Sequence, residues 1–175
     1  MILGLDIGGA HLKAAWTARD GRLAGAVQLA MPLWQGLHHL REALAAVLSG
    51  HPAPELVSVT MTGELVDLFE DRAGGVAGIL DTLPPALPGV PIRVYRGAAG
   101  FVEIGEAGGL ADEIASANWL ATSHLVATLA PGGILVDIGS TTTDIVPFAG
   151  GAPRHAGYTD AERLERGELV YTGVV

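Results

Sequence analysis

The sequence predicts an α/β protein built of two related halves, the second of them incomplete. Three observations predict it. Leu3-Gly4-Leu5-Asp6-Ile7-Gly8-Gly9 and Leu135-Val136-Asp137-Ile138-Gly139 share one layout, an apolar strand running into an Asp-Ile-Gly bend with another short strand behind it. The elements of the first half read in the order β-β-β-α-β-α-β, a hairpin sheet gaining parallel strands through helical crossovers. The first half takes residues 1–96, a connecting loop and helix take 97–131, and only 132–175 remain for the second, so Val174-Val175 reads as an interruption.

Taken in order, residues 2–7, 11–18 and 22–29 read as strands, with Arg19-Asp20-Gly21 as the second turn. Trp34, Leu37, Leu40, Leu44 and Val47/Leu48 mark one face of a helix ending near Gly50, and Pro52 and Pro54 follow. Leu56 to Met61 is a short buried strand with Thr62-Gly63-Glu64 as its exit loop. Residues 66–83 suggest a helix interrupted by Gly74-Gly75, and the prolines 84, 85, 88 and 91 lead into a strand over 92–95. A Gly/Ala-rich loop covers 97–111, after which Asp112 is placed to cap a helix from Glu113 to Leu129. That helix puts Asn118 and Trp119 in its middle. Ile134 to Val136 read as a buried strand, Thr143, Ile145 and Val146 as its β-branched partner, and Gly150-Gly151 as a turn. The remainder shows one short polar stretch and a strand-like piece.

Composition narrows the function. The net charge is −9, Lys13 is the only lysine, and there is no Lys/Arg run, which argues against a nucleic-acid surface. There are no cysteines, so disulfides, thiol nucleophiles and cysteine metal sites are excluded. No apolar run is long enough to span a bilayer, and the N-terminus enters a strand motif with no basic leader. The expectation is a cytoplasmic protein, able to form a homo-oligomer, whose partner is a small molecule.

The chemistry concentrates at the two bends. Asp6 and Asp137 are the choice for a phosphate or metal centre, because carboxylates hold Mg²⁺ and phosphate oxygens complete its shell; turn-capping aspartates are the alternative. Gly8, Gly9 and Gly139 let backbone amides approach an anion, although hairpin geometry alone also calls for glycine. Ser140, Thr141 and Thr142 offer hydroxyls to phosphate, with a merely β-favouring threonine run as the rival, and Asp144 adds a second carboxylate to its hairpin. Lys13 supplies a point cation on the same strand face as His11, a candidate acid/base; surface placement competes for both. Glu64 follows a buried strand, where α/β sheets place ligand groups, or else simply opens a helix. Asn118 is a cleft candidate and Trp119 a core residue. His38 and His39 read as surface, and His51, His124 and His155 have no metal spacing.

The segments LGLDIGGAHLKAA, VTMTGEL, GFVEIG, ASANWLATSHLVA, ILVDIGSTTTDIVPF and RLERGELVYTGVV together resemble the acetate and sugar kinase/Hsp70/actin superfamily. Within it they are most similar to the hydantoinase/oxoprolinase-like branch linked to tetrahydromethanopterin C1 transfer. The resemblance implies two ribonuclease-H-like domains enclosing a phosphate-bearing ligand. It further implies a transferase of methanofuran- or methylofuran-type cofactor biosynthesis, condensing an aminomethylfuran diphosphate with a glutamyl-tyramine-like phenol and releasing diphosphate. Mg²⁺ is the expected cofactor. Whether ATP is used stays open, since the family's base-binding segments lie beyond the length seen here. An ATP-dependent small-molecule kinase or hydantoinase-type hydrolase, and a truncated, non-catalytic phosphate-binding module, are the alternatives.

Overall fold

The computed structural model describes residues 1–139 and 142–171, so Ser140 and Thr141 lie outside the described residues. The chain forms two compact units, Met1–Asn118 and the part from Trp119 onward.

The first unit is organised on a six-stranded sheet. Its strands are β1 (Ile2–Ile7), β2 (His11–Thr17), β3 (Leu23–Ala30), β4 (Leu56–Met61), β5 (Ile92–Tyr95) and β6 (Phe101–Glu103). They lie in the order β3-β2-β1-β4-β5-β6, with β1, β4 and β5 mutually parallel and the outer pairs antiparallel. Alternation along β1 buries Leu3, Leu5 and Ile7 and turns Gly4 and Asp6 the other way. Helices α1 (Leu37–Leu48) and α2 (Arg72–Ala86) bring Leu40, Leu44, Val47, Val76, Ile79 and Leu83 to the same core. Each fully buried Leu or Ile contributes about 1.5–3 kcal/mol, which is what fixes these faces inward.

The first unit differs from the sequence expectations at several points. Trp34 is 51% exposed in a 3-10 turn ahead of α1, and its neighbour Leu33 is the buried residue. The second helix runs unbroken from Arg72, capped by Asp71 accepting from the Gly74 amide at 2.7 Å. Gly74-Gly75 does not interrupt it. A Cβ on Gly75 would stand 2.5 Å from the Glu64 carbonyl oxygen, so this glycine serves close approach of the helix to the residue 63–65 turn. Residues 97–111 are not one loop, because β6 pairs antiparallel with β5 inside them. The helix expected over 113–129 is two helices, α3 (Ala111–Ile114) and α4 (Asn118–Leu129), separated by Ser116 at φ 52°. Asp112 sits in the first turn of α3 rather than capping a long helix, and Asn118 begins α4 instead of lying in its middle.

The second unit holds the main length of α4, then β7 (Gly132–Ile138), β8 (Thr142–Ala149), β9 (Ala152–Pro153), α5 (Asp160–Arg166) and β10 (Leu169–Tyr171). Its sheet has the order β10-β8-β7, with β9 folded back on β8. The expectation of a buried leading strand fails: Ile134, Val136 and Ile138 are 65%, 53% and 75% exposed. The corresponding residues of β1 are sealed by α1, α2 and β4, and no described element covers β7 in the same way. The polar stretch is the helix α5, opened by a capping box in which Thr159 accepts from the Glu162 amide and the Glu162 carboxylate accepts from the Thr159 amide. Among the described residues no helix is long and apolar enough to cross a membrane.

Candidate functional site

The two Asp-Ile-Gly bends are the same hairpin built twice. In the first, Asp6 pairs in register with Lys13 and Ile7 with Leu12, and the Gly8 amide closes the bend on the His11 carbonyl at 3.0 Å. In the second, Asp137 pairs with Asp144 and Ile138 with Thr143, and the Gly139 amide closes on the Thr142 carbonyl at 2.8 Å. A Cβ on Gly8 or on Gly139 would stand 3.1 Å from that accepting carbonyl. A side chain at either position would crowd the closing carbonyl by a few tenths of an ångström. Their amides are already spent.

Beyond Gly8 the first bend has amides to offer. The N–H groups of Gly9 and Ala10 make no hydrogen bond among the described residues, while their carbonyls anchor Leu33 and Met31 at 2.9 and 2.8 Å. Gly9 is held close to the chain, since a Cβ there would lie 2.8 Å from Val66 Cγ1. Beside the bend a polar row crosses three strands. Lys13 Nζ donates to Asp6 Oδ2 at 3.0 Å, and Thr60 Oγ1, opposite Asp6 on β4, donates to Oδ1 at 3.3 Å. His11 shares the exposed face with Lys13, as strand alternation requires. The bend thus presents a carboxylate, an ammonium and two open amides together.

Glu64 lies just past β4, in the 3-10 turn Gly63–Leu65, and that turn is locked to the first hairpin. The Thr62 amide donates to the Ile7 carbonyl at 3.0 Å, and a Cβ on Gly63 would crowd the carbonyls of Ile7 and Gly8 at 3.1 and 3.0 Å. Glu64 itself is only 1% exposed. Burial pushes its carboxyl above the ordinary range, opposed chiefly by the hydrogen bond from Ser116 and more weakly by Arg72. Ser116 Oγ donates to Oε1 at 2.7 Å, and Oε2 has no partner among the described residues.

The second hairpin is supported from behind by Arg163. Its Nη1 lies 2.9 Å from Asp144 Oδ1, its Nη2 donates to the Glu168 carbonyl at 3.1 Å, and its guanidinium carbon sits 3.8 Å over the Trp119 ring. The arginine is 1% exposed. Burial raises the Asp144 carboxyl, Arg163 opposes that, and Asp137 across the hairpin adds to it. Glu168 ties the next segment down, accepting from the Ala156 and Gly157 amides at 2.6 and 3.0 Å. Thr142, the residue before this pair on β8, is half-buried, and Asn118 is half-buried at the start of α4.

The first hairpin therefore collects Asp6, Gly8, Gly9, His11 and Lys13, with Glu64 one turn away, and the second collects Asp137, Gly139, Thr142 and Asp144. Sequence reasoning missed Ser116 and Arg163. The Thr159-Asp160-Ala161-Glu162 capping signature could have revealed the helix that carries Arg163; nothing local marks Ser116. Among the described residues no three His, Cys, Asp or Glu side chains gather as a metal cluster. Asp6, whose carboxylate is shared between Lys13 and Thr60, and the exposed Asp137 each offer a single carboxylate, so a Mg²⁺ ion at either would need phosphate and water oxygens to complete its shell.

The family model for hydantoinase/oxoprolinase matches residues 55–174. The (4-{4-[2-(γ-L-glutamylamino)ethyl]phenoxymethyl}furan-2-yl)methanamine synthase of Methanocaldococcus jannaschii is 34% identical over 176 residues, covering 100% of this chain and 51% of the relative. The chain thus spans about half the length of that protein. Among solved structures, a Ppx/GppA phosphatase from Aquifex aeolicus superposes with a TM-score of 0.54 at 15% identity, over 88% of this chain and 50% of that one. A ROK family glucokinase from Streptomyces griseus gives 0.51 at 15% identity, over 89% and 46%. These two likenesses show the fold alone, one that the chain shares with a Ppx/GppA phosphatase and a ROK family sugar kinase. With more than half its length matched by the family model, the chain belongs to the hydantoinase/oxoprolinase family.

Proposed function

We propose that this chain is the phosphate-handling part of a transferase in C1-carrier cofactor biosynthesis of the methanofuran type. Its substrates would be an aminomethylfuran diphosphate and a glutamyl-tyramine-like phenol. The observation that carries the reading is the 34% identity along the whole chain to a synthase whose name describes a phenol joined to a furan methylene through oxygen. The duplicated acidic bend supports it, because Asp6, Lys13 and the open amides at 9 and 10 together suit an anionic leaving group.

In this reaction the phenol oxygen bonds to the furan methylene carbon and the carbon–diphosphate oxygen bond breaks, its electron pair leaving on the diphosphate. The phenolic proton passes to the released diphosphate or to water. Lys13 neutralises part of the charge that grows on the leaving oxygens, and the Gly9 and Ala10 amides donate to them without having to reorganise. Asp6 keeps the ammonium in place through its 3.0 Å bond. Burial favours the acid form of Glu64, the form that donates a hydrogen bond rather than deprotonating the phenol. Mg²⁺ when bound would spread the diphosphate charge further, with Asp6 or Asp137 as its protein ligand.

The test has two parts. Binding of inorganic diphosphate with Mg²⁺ is followed by ³¹P NMR on the 175-residue chain and on Asp6→Asn, which is expected to lose it. Ether formation from the furan diphosphate and the phenol is followed by mass spectrometry. Nucleotide hydrolysis with an alcohol or cyclic amide and no ether would replace this reading by a kinase or hydantoinase activity. Diphosphate binding with no turnover would leave a binding module.

A further inference from the structure

Ser116 departs from a rule that the rest of the chain obeys. Ten other described residues have backbone φ in the left-handed region, and all ten are glycine. Ser116, at φ 52°, is the exception. A side chain in that region costs about 1 kcal/mol relative to glycine. The position separates α3 from α4, where a glycine would turn the chain at least as well. What glycine lacks is the hydroxyl, and that hydroxyl is the group bonded to the buried carboxyl of Glu64, at 2.7 Å.

The arrangement divides the two oxygens of Glu64 into different roles. Oε1 is taken by the serine, whereas Oε2 is shut away from solvent with no partner among the described residues. When such a carboxyl is protonated, its proton sits on the oxygen that accepts nothing. We propose that Ser116 is a positioning residue for Glu64: by occupying Oε1 from a fixed left-handed turn it leaves Oε2 as the one oxygen on which a proton can be carried and offered. The inference deepens the reading of Glu64 given above and rests on it for the ligand, an anionic oxygen that accepts from Oε2. The pairing itself stands on geometry alone. Arg72, at the start of α2, is the charged group that acts on Glu64 from the neighbouring elements, and it too favours the carboxylate form.

The experiment is a carboxyl-carbon NMR titration of the full chain labelled at glutamate, with the Glu64 resonance assigned by its loss in Glu64→Gln. Ser116→Ala removes the hydroxyl and retains the strained turn; Ser116→Gly removes the hydroxyl and relieves the turn, so one of the pair stays folded. At the pH where wild-type Glu64 is half ionised, both variants are expected to leave about one sixth of it ionised, the effect of one lost hydrogen bond. A titration unchanged in both overturns the proposal. So does a shift in Ser116→Ala that Ser116→Gly reverses, since that would trace the effect to the backbone. The readout needs no turnover. A shifted titration in a protein that never forms the ether would sink the transferase reading and leave the Ser116–Glu64 pairing intact.

Discussion

Lys13 Nζ lies 3.0 Å from Asp6 Oδ2 across the first hairpin, and the equivalent position of the second hairpin holds Asp144 opposite Asp137. The two bends share register, closure and glycine, yet one pairs opposite charges and the other pairs like ones. The second is tolerable because Arg163 stands behind it. Of the two, the first bend is the one that sets an ammonium beside its carboxylate.

Replacing Lys13 by Met tests the anion-binding role proposed for it. The pair is a surface one, with the ammonium 57% exposed, so stability should change by less than about 0.5 kcal/mol. Diphosphate affinity should fall about tenfold, and by less at high salt. Calorimetric titration at two ionic strengths measures both. Unchanged affinity would remove Lys13 from the site.

Arg163→Met should damage the second unit. Breaking a fully buried pair costs about 3–5 kcal/mol; here about 2–3 kcal/mol is expected, because the Asp144 side chain keeps 20% exposure. Adding Asp144→Asn should recover part of the loss. Urea unfolding followed by Trp119 fluorescence, with Trp16 and Trp34 replaced by Phe, checks the sum.

Gly74 and Gly75 are adjacent and should respond oppositely. Gly75→Ala drives a methyl into the Glu64 backbone and should destabilise by about 1–3 kcal/mol. Gly74→Ala meets only the Asp71 carboxylate, at 3.3 Å, and should be neutral within about 1 kcal/mol. Thermal melts of both variants decide it.

Glu64 should leave a signature in the pH dependence of stability. Its folded pKa is raised above the ordinary value of 4.5, chiefly by burial, so its favourable contribution is complete below the unfolded pKa and is lost as pH rises through the folded one. Glu64→Gln keeps an acceptor for Ser116 and cannot ionise. Its unfolding free energy should match wild type in acid and exceed it at alkaline pH. Parallel curves across the whole range would contradict the upward shift of the buried carboxyl.

The fold was readable wherever apolar periodicity and turn chemistry agreed. The strands around Asp6 and Asp137, the α1 stripe and the duplicated bend all follow from the sequence. Periodicity failed where the buried residue is charged. In α5 the inward side chain is Arg163, while Leu164 is 44% exposed, so a search for an apolar face points to the wrong side. It failed again at Gly75, whose role is set by the Glu64 carbonyl, a contact across the fold rather than along the chain. Ser116 was illegible for the same reason. Of the site residues, His11 and Lys13 could be placed on one strand face from alternation alone, but the pairing of Lys13 with Asp6 and the commitment of the Gly8 and Gly139 amides to closure depend on cross-strand register and are visible only in the fold.

Strand β7 carries one more consequence. Leu3, Leu5 and Ile7 of β1 are at most 3% exposed, whereas Ile134, Val136 and Ile138, which hold the same places in the repeated hairpin, stand open on an edge strand. An edge of this kind is adhesive. Concentrated samples of the 175-residue chain should drift toward larger particles in light scattering, and threonine at these three positions should quiet that drift while leaving the melting temperature of the first unit where it was.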